Sequence, residues 1–204
     1  DFQCPHCARA MATLDQVAKA FPRDVRVVYM HNPLPNHRDA RLAAVASLAA
    51  HQQGKFFPYA KLLYKNMRRL KKPQLIQYAG QAGLNVAKFK KDLENRRLQI
   101  QVRQDEQQLR RLGVRSTPSF FVNGRYIRGG RSFAQFKKII EQEIKNARKL
   151  MKTGVARAQL YRELMKNGKF RIGAAGAKGR GRGGRDGKGR RRQPPREDPN
   201  AVYK

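Results

Sequence analysis

The stretch DFQCPHC, residues 1–7, sets two cysteines three positions apart with a proline and a histidine between them. A metal clip, a structural disulfide and a redox centre can all use that spacing. Cys4 and Cys7 are the only cysteines in 204 residues, so there is no framework of several disulfides, and whatever they do they do as a pair. Zinc would need about two further ligands in tetrahedral array. The candidates His6, His31, His37 and His51 have no spacing of a known site. Pro5 and His6 at a helix start are a poor way to build an inert pair, and redox chemistry is the preferred reading.

A thiol attacks as thiolate, so a working redox cysteine needs a pKa below the ordinary value of about 8.5. Residues 8–20, ARAMATLDQVAKA, read as a helix beginning at or inside the CPHC stretch, with Met11, Leu14 and Ala18 on one side. Cys4 would then face the unpaired N–H groups of the first turn, and Pro5 suits a first helical position. His6 can offer a hydrogen bond or a charge to the same sulfur. Each of these favours the reduced, ionised form, which makes the disulfide a stronger oxidant. Cys7, one turn further on, faces the helix interior as a resolving thiol.

Beyond that helix, RVVYM at 26–30 is short, β-branched and aromatic, and reads as a buried strand ended by the loop HNPLPNH. From Ala40 to about Leu112 every periodic stretch is helical, giving a block of four or five helices. Its apolar stripes are Leu42, Val45, Ala46 and Ala49, then Phe56, Tyr59, Leu63 and Met67, then Leu75 to Ala79; Val86, Phe89 and Leu93 open a longer charged stretch reaching Leu112. The period then changes. SFFVNGRYIRGG reads as two strands around Asn123-Gly124, the dipeptide that best tolerates a two-residue hairpin. Ser132 opens an amphipathic helix with Phe133, Phe136, Ile140, Ile144 and Ala147 inward, and Thr153 to about Asn167 reads as one more. After Gly168 the chain turns to Gly, Arg and Pro with almost nothing apolar, the composition of a disordered tail.

CPHC at a helix start, helices inserted after one strand, then GVRSTPSFFVNGRYIRGG and a closing amphipathic helix together resemble the DsbA-like thioredoxin-fold oxidoreductases, from Asp1 to about Lys149. The resemblance implies an α/β fold: a DsbA-like thioredoxin domain over 1–150 with a helical insertion at about 40–112, a linker helix at 151–167 and a disordered Arg/Gly-rich tail at 168–204. It implies Cys4 as nucleophile, Cys7 as resolving cysteine and His6 as tuner of the thiolate. Thr117-Pro118 takes the place of the family's cis-proline loop, and with Pro5 it would bind an extended substrate segment at the Thr117 backbone. It implies no cofactor and no metal. The partners expected are cysteine-containing proteins and a redox partner, in a bacterial periplasm or cell envelope, with an oxidising poise. HNPLPNHRDARLAAVA and GKFFPYAKLLYKN look like the envelope version of the family. KLMKTGVARAQLYRELMKNGK and DPNAVYK are similar to the linker and run-in between tandem copies, so a second domain beyond the chain ends is possible.

The sequence also departs from that pattern. The family has a hydrophobic strand just before DFQC, central in the sheet between the strands at 26–30 and 119–122. It is missing here, so the natural protein is expected to extend further N-terminally or to fill that slot with something else. Thr117 leaves room for a more reducing or isomerase-like role. No acidic residue is evident near the buried cysteine; Met11 lies one turn after Cys7.

The formal charge of +32 implies attraction to polyanions and says nothing about fold. Residues 166–204 carry thirteen Lys/Arg against three Asp/Glu, so most of the charge lies outside the tail. The tail resembles Arg/Gly-rich nucleic-acid-binding segments, although a flexible linker is the favoured reading; its aromatics are Phe170 and Tyr203. No apolar run is long enough to span a membrane. His31 and His37 flank a loop near the active-site end and are expected to be solvated; His51 is expected at a helix C-terminus. Against the redox enzyme stand a polyanion-binding protein on an inactive redox scaffold and a peptide-binding chaperone or isomerase using the same groove.

Overall fold

The computed structural model describes residues 1–166 and the backbone of 202–203. In chain order the elements are α1 (Pro5–Ala20), β1 (Val28–Tyr29), α2 (Ala40–His51), α3 (Phe56–Lys65), α4 (Lys72–Gln81), α5 (Val86–Leu93), α6 (Arg96–Arg111), β2 (Ser119–Val122), β3 (Arg125–Arg128), α7 (Phe133–Lys152), α8 (Arg157–Lys166) and β4 (Val202–Tyr203).

The inserted block is five helices, α2 to α6, and their inward faces form the larger core with Phe2, Cys4, Cys7 and Met11. α2 is its axis. Instead of the single expected stripe, every residue from Ala43 to Ala50 is buried. Small Ala and Ser side chains let neighbouring helices close on every side. The longer charged stretch from Val86 to Leu112 is two helices, because Asn95 caps a fresh start by accepting the Arg97 N–H at 2.9 Å.

β2 and β3 form the hairpin, with Phe120 opposite Ile127 and Phe121 opposite Tyr126. Asn123 and Gly124 turn it at φ +46° and +82°, the two positive values that a tight hairpin of the native twist requires. Ser132 caps α7 with a full capping box, its hydroxyl accepting the Gln135 N–H at 3.3 Å while the Gln135 side chain accepts the Ser132 N–H at 3.1 Å. Phe136 and Ile140 of α7 pack with Ile127 and with Val17 of α1 into the smaller core. On α1 it is Val17, and not Ala18, that is buried.

The expected strand at 26–30 narrows to Val28–Tyr29 and is not buried: Val28 is 41% exposed. It pairs antiparallel with Val202–Tyr203, whereas β2 pairs only with β3, so the described strands make two separate two-stranded sheets. No described strand occupies the slot between β1 and β2, which is why both have half-exposed faces. The helix expected from Thr153 begins at Arg157, since α7 runs on to Lys152 and Gly154, at φ +90°, turns the chain. The tail expected over 168–204 lies outside the described residues, apart from the backbone of β4.

Candidate active site at the CPHC helix

Cys4 is the N-cap of α1, with extended backbone (φ −85°, ψ 117°) and Pro5 in the first turn. Its carbonyl accepts the Cys7 and Ala8 N–H groups at 3.0 and 3.2 Å, and this fixes the four-residue motif as one helical turn. Pro5 and His6 are exposed, while Cys4 and Cys7, at 4% and 7% exposure, turn inward as free thiols.

Across from them lies the loop before β2. The Thr117–Pro118 peptide bond is cis, and the Cys4 thiol donates to the Thr117 carbonyl at 3.6 Å. That carbonyl favours the protonated thiol. The Thr117 hydroxyl works in the opposite sense: it is buried without a hydrogen-bond partner among the described residues, and it favours ionisation of both sulfurs. Burial pushes the Cys4 thiol up, but the Thr117 hydroxyl, the Cys7 backbone and side chain and the His6 backbone N–H outweigh it and leave Cys4 below the ordinary thiol value. Cys7 goes the other way: burial pushes it up, and the neighbouring Cys4 adds to this against the pull of Thr117. The pair is thereby split into a readily ionised thiol and a reluctant one.

The His6 ring lies on the exposed side, where its Nδ1 accepts from Arg9 Nη2 at 2.7 Å. His6 thus meets the sulfur through its backbone. Arg9, a cation one turn into the helix, was not singled out from sequence, although its spacing from His6 on a helix predicts the contact.

Beneath the motif is an aromatic floor. Phe2, fully buried, stacks on Tyr29 at 5.6 Å and 8°, and packs on Tyr64 at 5.0 Å; the Tyr29 and Tyr64 hydroxyls hydrogen-bond to each other. Burial pushes both phenols well up, so they stay neutral and no anion competes with the thiolate. His31 belongs to the same floor. It is 1% exposed, contrary to the expectation of a solvated loop residue, because its ring packs on Phe2, Tyr29 and Phe56 and its backbone N–H donates to the Asp105 carboxylate at 2.8 Å. Burial lowers its pKa to about 3, so it is neutral at physiological pH. His51 ends α2 as expected, its ring edge-on to Phe56.

Two residues before the motif fasten it in place. The Asp1 carboxylate accepts the Gln3 and Leu34 N–H groups at 2.8 and 2.7 Å and lies 2.7 Å from His37 Nδ1. The Gln3 side-chain carbonyl accepts the Asp39 N–H at 2.6 Å. Leu34, His37 and Asp39 lie more than thirty residues away in the chain, and nothing in the local sequence announces them. Among the described residues no three His, Cys, Asp or Glu side chains are grouped as metal ligands would be.

A cysteine at a helix N-cap facing a proline loop across the fold defines a thioredoxin-like protein. The family model described as Thioredoxin matches residues 1–142, and the chain belongs to that family. Among solved structures it is similar to a thioredoxin-like oxidoreductase from Silicibacter pomeroyi DSS-3, at 29% identity over 71% of this chain and 83% of that one, with a TM-score of 0.65. ScsC from Proteus mirabilis in a compact conformation shares the fold at 18% identity, over 71% of this chain and 79% of that one, with a TM-score of 0.60. Among curated proteins it is similar to the Na(+)/H(+) antiporter NhaA of Herminiimonas arsenicoxydans, 34% identical over 148 residues, and to NhaA 1 of Mycobacterium sp. (strain KMS), 33% identical over 144 residues. These matches cover 72% and 69% of this chain but 24% of each relative, so the chain spans about a quarter of their length. No helix among the described residues is long and apolar enough to cross a membrane.

Proposed function

We propose that this domain is a thiol:disulfide oxidoreductase acting on protein substrates through a mixed disulfide at Cys4. The observation that carries this reading is the approach of Cys4 to Thr117, a contact spanning 113 residues at 3.6 Å, in which the thiol of lowered pKa meets the loop that precedes a strand. Cys4 thiolate attacks one sulfur of a substrate disulfide, forming the Cys4–substrate bond and releasing the other substrate sulfur as thiolate. Cys7, deprotonated in turn, attacks Cys4 and expels the remaining substrate thiolate. Two electrons pass to the substrate and the protein keeps a Cys4–Cys7 disulfide. Run backwards, the same steps oxidise a substrate dithiol. Stabilisation of the Cys4 thiolate favours that oxidising direction, and the resemblance to DsbA-like proteins supports a periplasmic or envelope setting.

Pro5 and Pro118 bound the groove, and the Thr117 backbone before β2 suits an extended substrate segment. His6 with Arg9 supplies a cationic rim on the exposed side. The antiporter relatives are about four times as long as the matched stretch, and ion transport is not carried over to this site.

Cys4→Ser is expected to abolish insulin reduction and dithiol oxidation, while Cys7→Ser accumulates mixed disulfides visible on non-reducing gels. Full activity in Cys4→Ser would overturn the proposal.

A further inference from the structure

We propose that Arg41, Arg103 and Arg110 form a carboxylate-binding pocket beside the redox groove, so that the domain selects substrate polypeptides carrying acidic side chains near their cysteines. This rests on the oxidoreductase reading above and names a substrate class for it.

The pocket follows from how α6 sorts its charges. Both of its carboxylates point inward: Asp105 and Glu106 are 4% and 6% exposed. Asp105 accepts the His31 N–H, and Glu106 is held by Arg41 of α2 at 2.7 Å. The exposed ionisable residues of the helix are all cations, Arg96, Arg97, Arg103, Arg110 and Arg111. Arg103 and Arg110, seven residues or about 10.5 Å apart along the helix, share one stripe with Gln107 between them. Neither pairs with a carboxylate among the described residues.

With Arg41 and Glu106 they line an open cavity of about 400 Å³. Three guanidiniums therefore face one carboxylate that is already paired. Planar guanidinium forks match a carboxylate bidentately, and a cavity of this size admits a side chain. Concave walls that include a carboxylate and an amide suit an inserted Asp or Glu better than a flat bilayer or a continuous phosphate chain.

Both walls are joined to the candidate site through the chain. Arg41 stands two residues after Asp39, whose N–H is held by Gln3 just before Cys4. α6 ends at Arg111, and from there the chain passes Gly113, at φ +83°, and the buried Val114 to reach Thr117.

The test uses the full chain and two disulfide peptides identical except for Asp/Glu or Asn/Gln beside the cysteines, each rate divided by the same variant's turnover of dithiothreitol. The native protein is expected to prefer the acidic peptide about tenfold in kcat/KM, with the preference falling as salt rises. Arg103→Gln/Arg110→Gln should lose that preference, and the charge-matched Lys145→Gln/Lys149→Gln on α7 should keep it. Loss in both double variants would trace the preference to overall charge and overturn the pocket. So would an absent preference, or one that survives in the arginine variant. If the arginine variant instead loses only retention on anionic vesicles, the site belongs to a lipid surface and the proposal is wrong. Failure of the native protein to turn over dithiothreitol at all would sink the oxidoreductase reading itself, and this pocket's role with it.

Discussion

The helical half and the hairpin half of this domain bury their apolar side chains very differently. In the helical half, residues from all of α2 to α6 interlock, and Phe2, Tyr59, Leu63, Leu70, Leu75 and Phe89 are fully buried. In the other half, the buried cluster among the described residues is Val17, Ile127, Phe136 and Ile140, with Phe120, Val122, Phe133 and Ile144 only half covered. The difference lies in neighbours. A helix in a bundle is enclosed by other helices, whereas among the described residues β2 pairs with β3 alone, and its face is covered by parts of α1 and α7. The candidate site sits on the seam between them. Cys4 and Cys7 belong to the well-packed core, while Thr117 comes from the less covered half. The pair of thiols is thus enclosed on its own side, and the Thr117 loop facing it comes from the less enclosed one.

The comparison can be broken most directly by cavity-forming substitutions. Leu63→Ala is expected to cost about 4 kcal/mol and Ile140→Ala about 2 kcal/mol in urea unfolding. Equal costs would mean that the hairpin half is better enclosed than its burial shows.

Acid should find the helical half through His31. Its folded-state pKa of about 3 lies below the ordinary value near 6.5, so the stability it contributes is complete above pH 6.5 and is lost progressively as pH falls toward 3. His31→Phe should remove about one proton from the pH dependence of unfolding in that window. An unchanged slope would show that the ring is not buried neutral.

The smallest effect belongs to the seam itself. Thr117→Val removes the hydroxyl that favours ionisation while keeping the side-chain volume, so the Cys4 pKa should rise toward the ordinary thiol range. Alkylation of Cys4 at neutral pH should then slow severalfold, with fold stability little changed. A rate equal to that of the native protein would assign the lowered pKa to the first turn of α1, through the Cys7 and His6 backbone and the Cys7 side chain.

Features written in neighbouring residues were legible in the sequence. The CPHC turn, the Asn123-Gly124 hairpin and the Ser132 cap each depend on side chains within a few positions. The length of the strand at 26–30 was not legible, because it depends on which chain segment lies beside it. Nor was the burial of His31: its backbone is anchored to Asp105, 74 residues away, and a loop of prolines and asparagines gives no hint of that enclosure. The Asp1 and Gln3 fastenings escaped for the same reason, and Thr117 was read for its backbone while the orphaned hydroxyl beside both sulfurs went unseen. The break at Asn95 was readable in principle, since asparagine is a favoured cap, but the charged periodicity on either side obscured it.

The axial helix α2 has a consequence for how the sequence can drift. Exposed helices such as α7 can exchange residues on most of their surface while holding one apolar face. α2 is enclosed from Ala43 to Ala50 and has no outward side on which to vary. A larger side chain at Ala43, Ala44, Ala46, Ala49 or Ala50 would have to displace a neighbouring helix, so this stretch constrains the size of its residues rather than their chemistry. The freedom of the domain to diverge is concentrated away from its centre, and the least variable part of its history should be an alanine-rich run of plain residues.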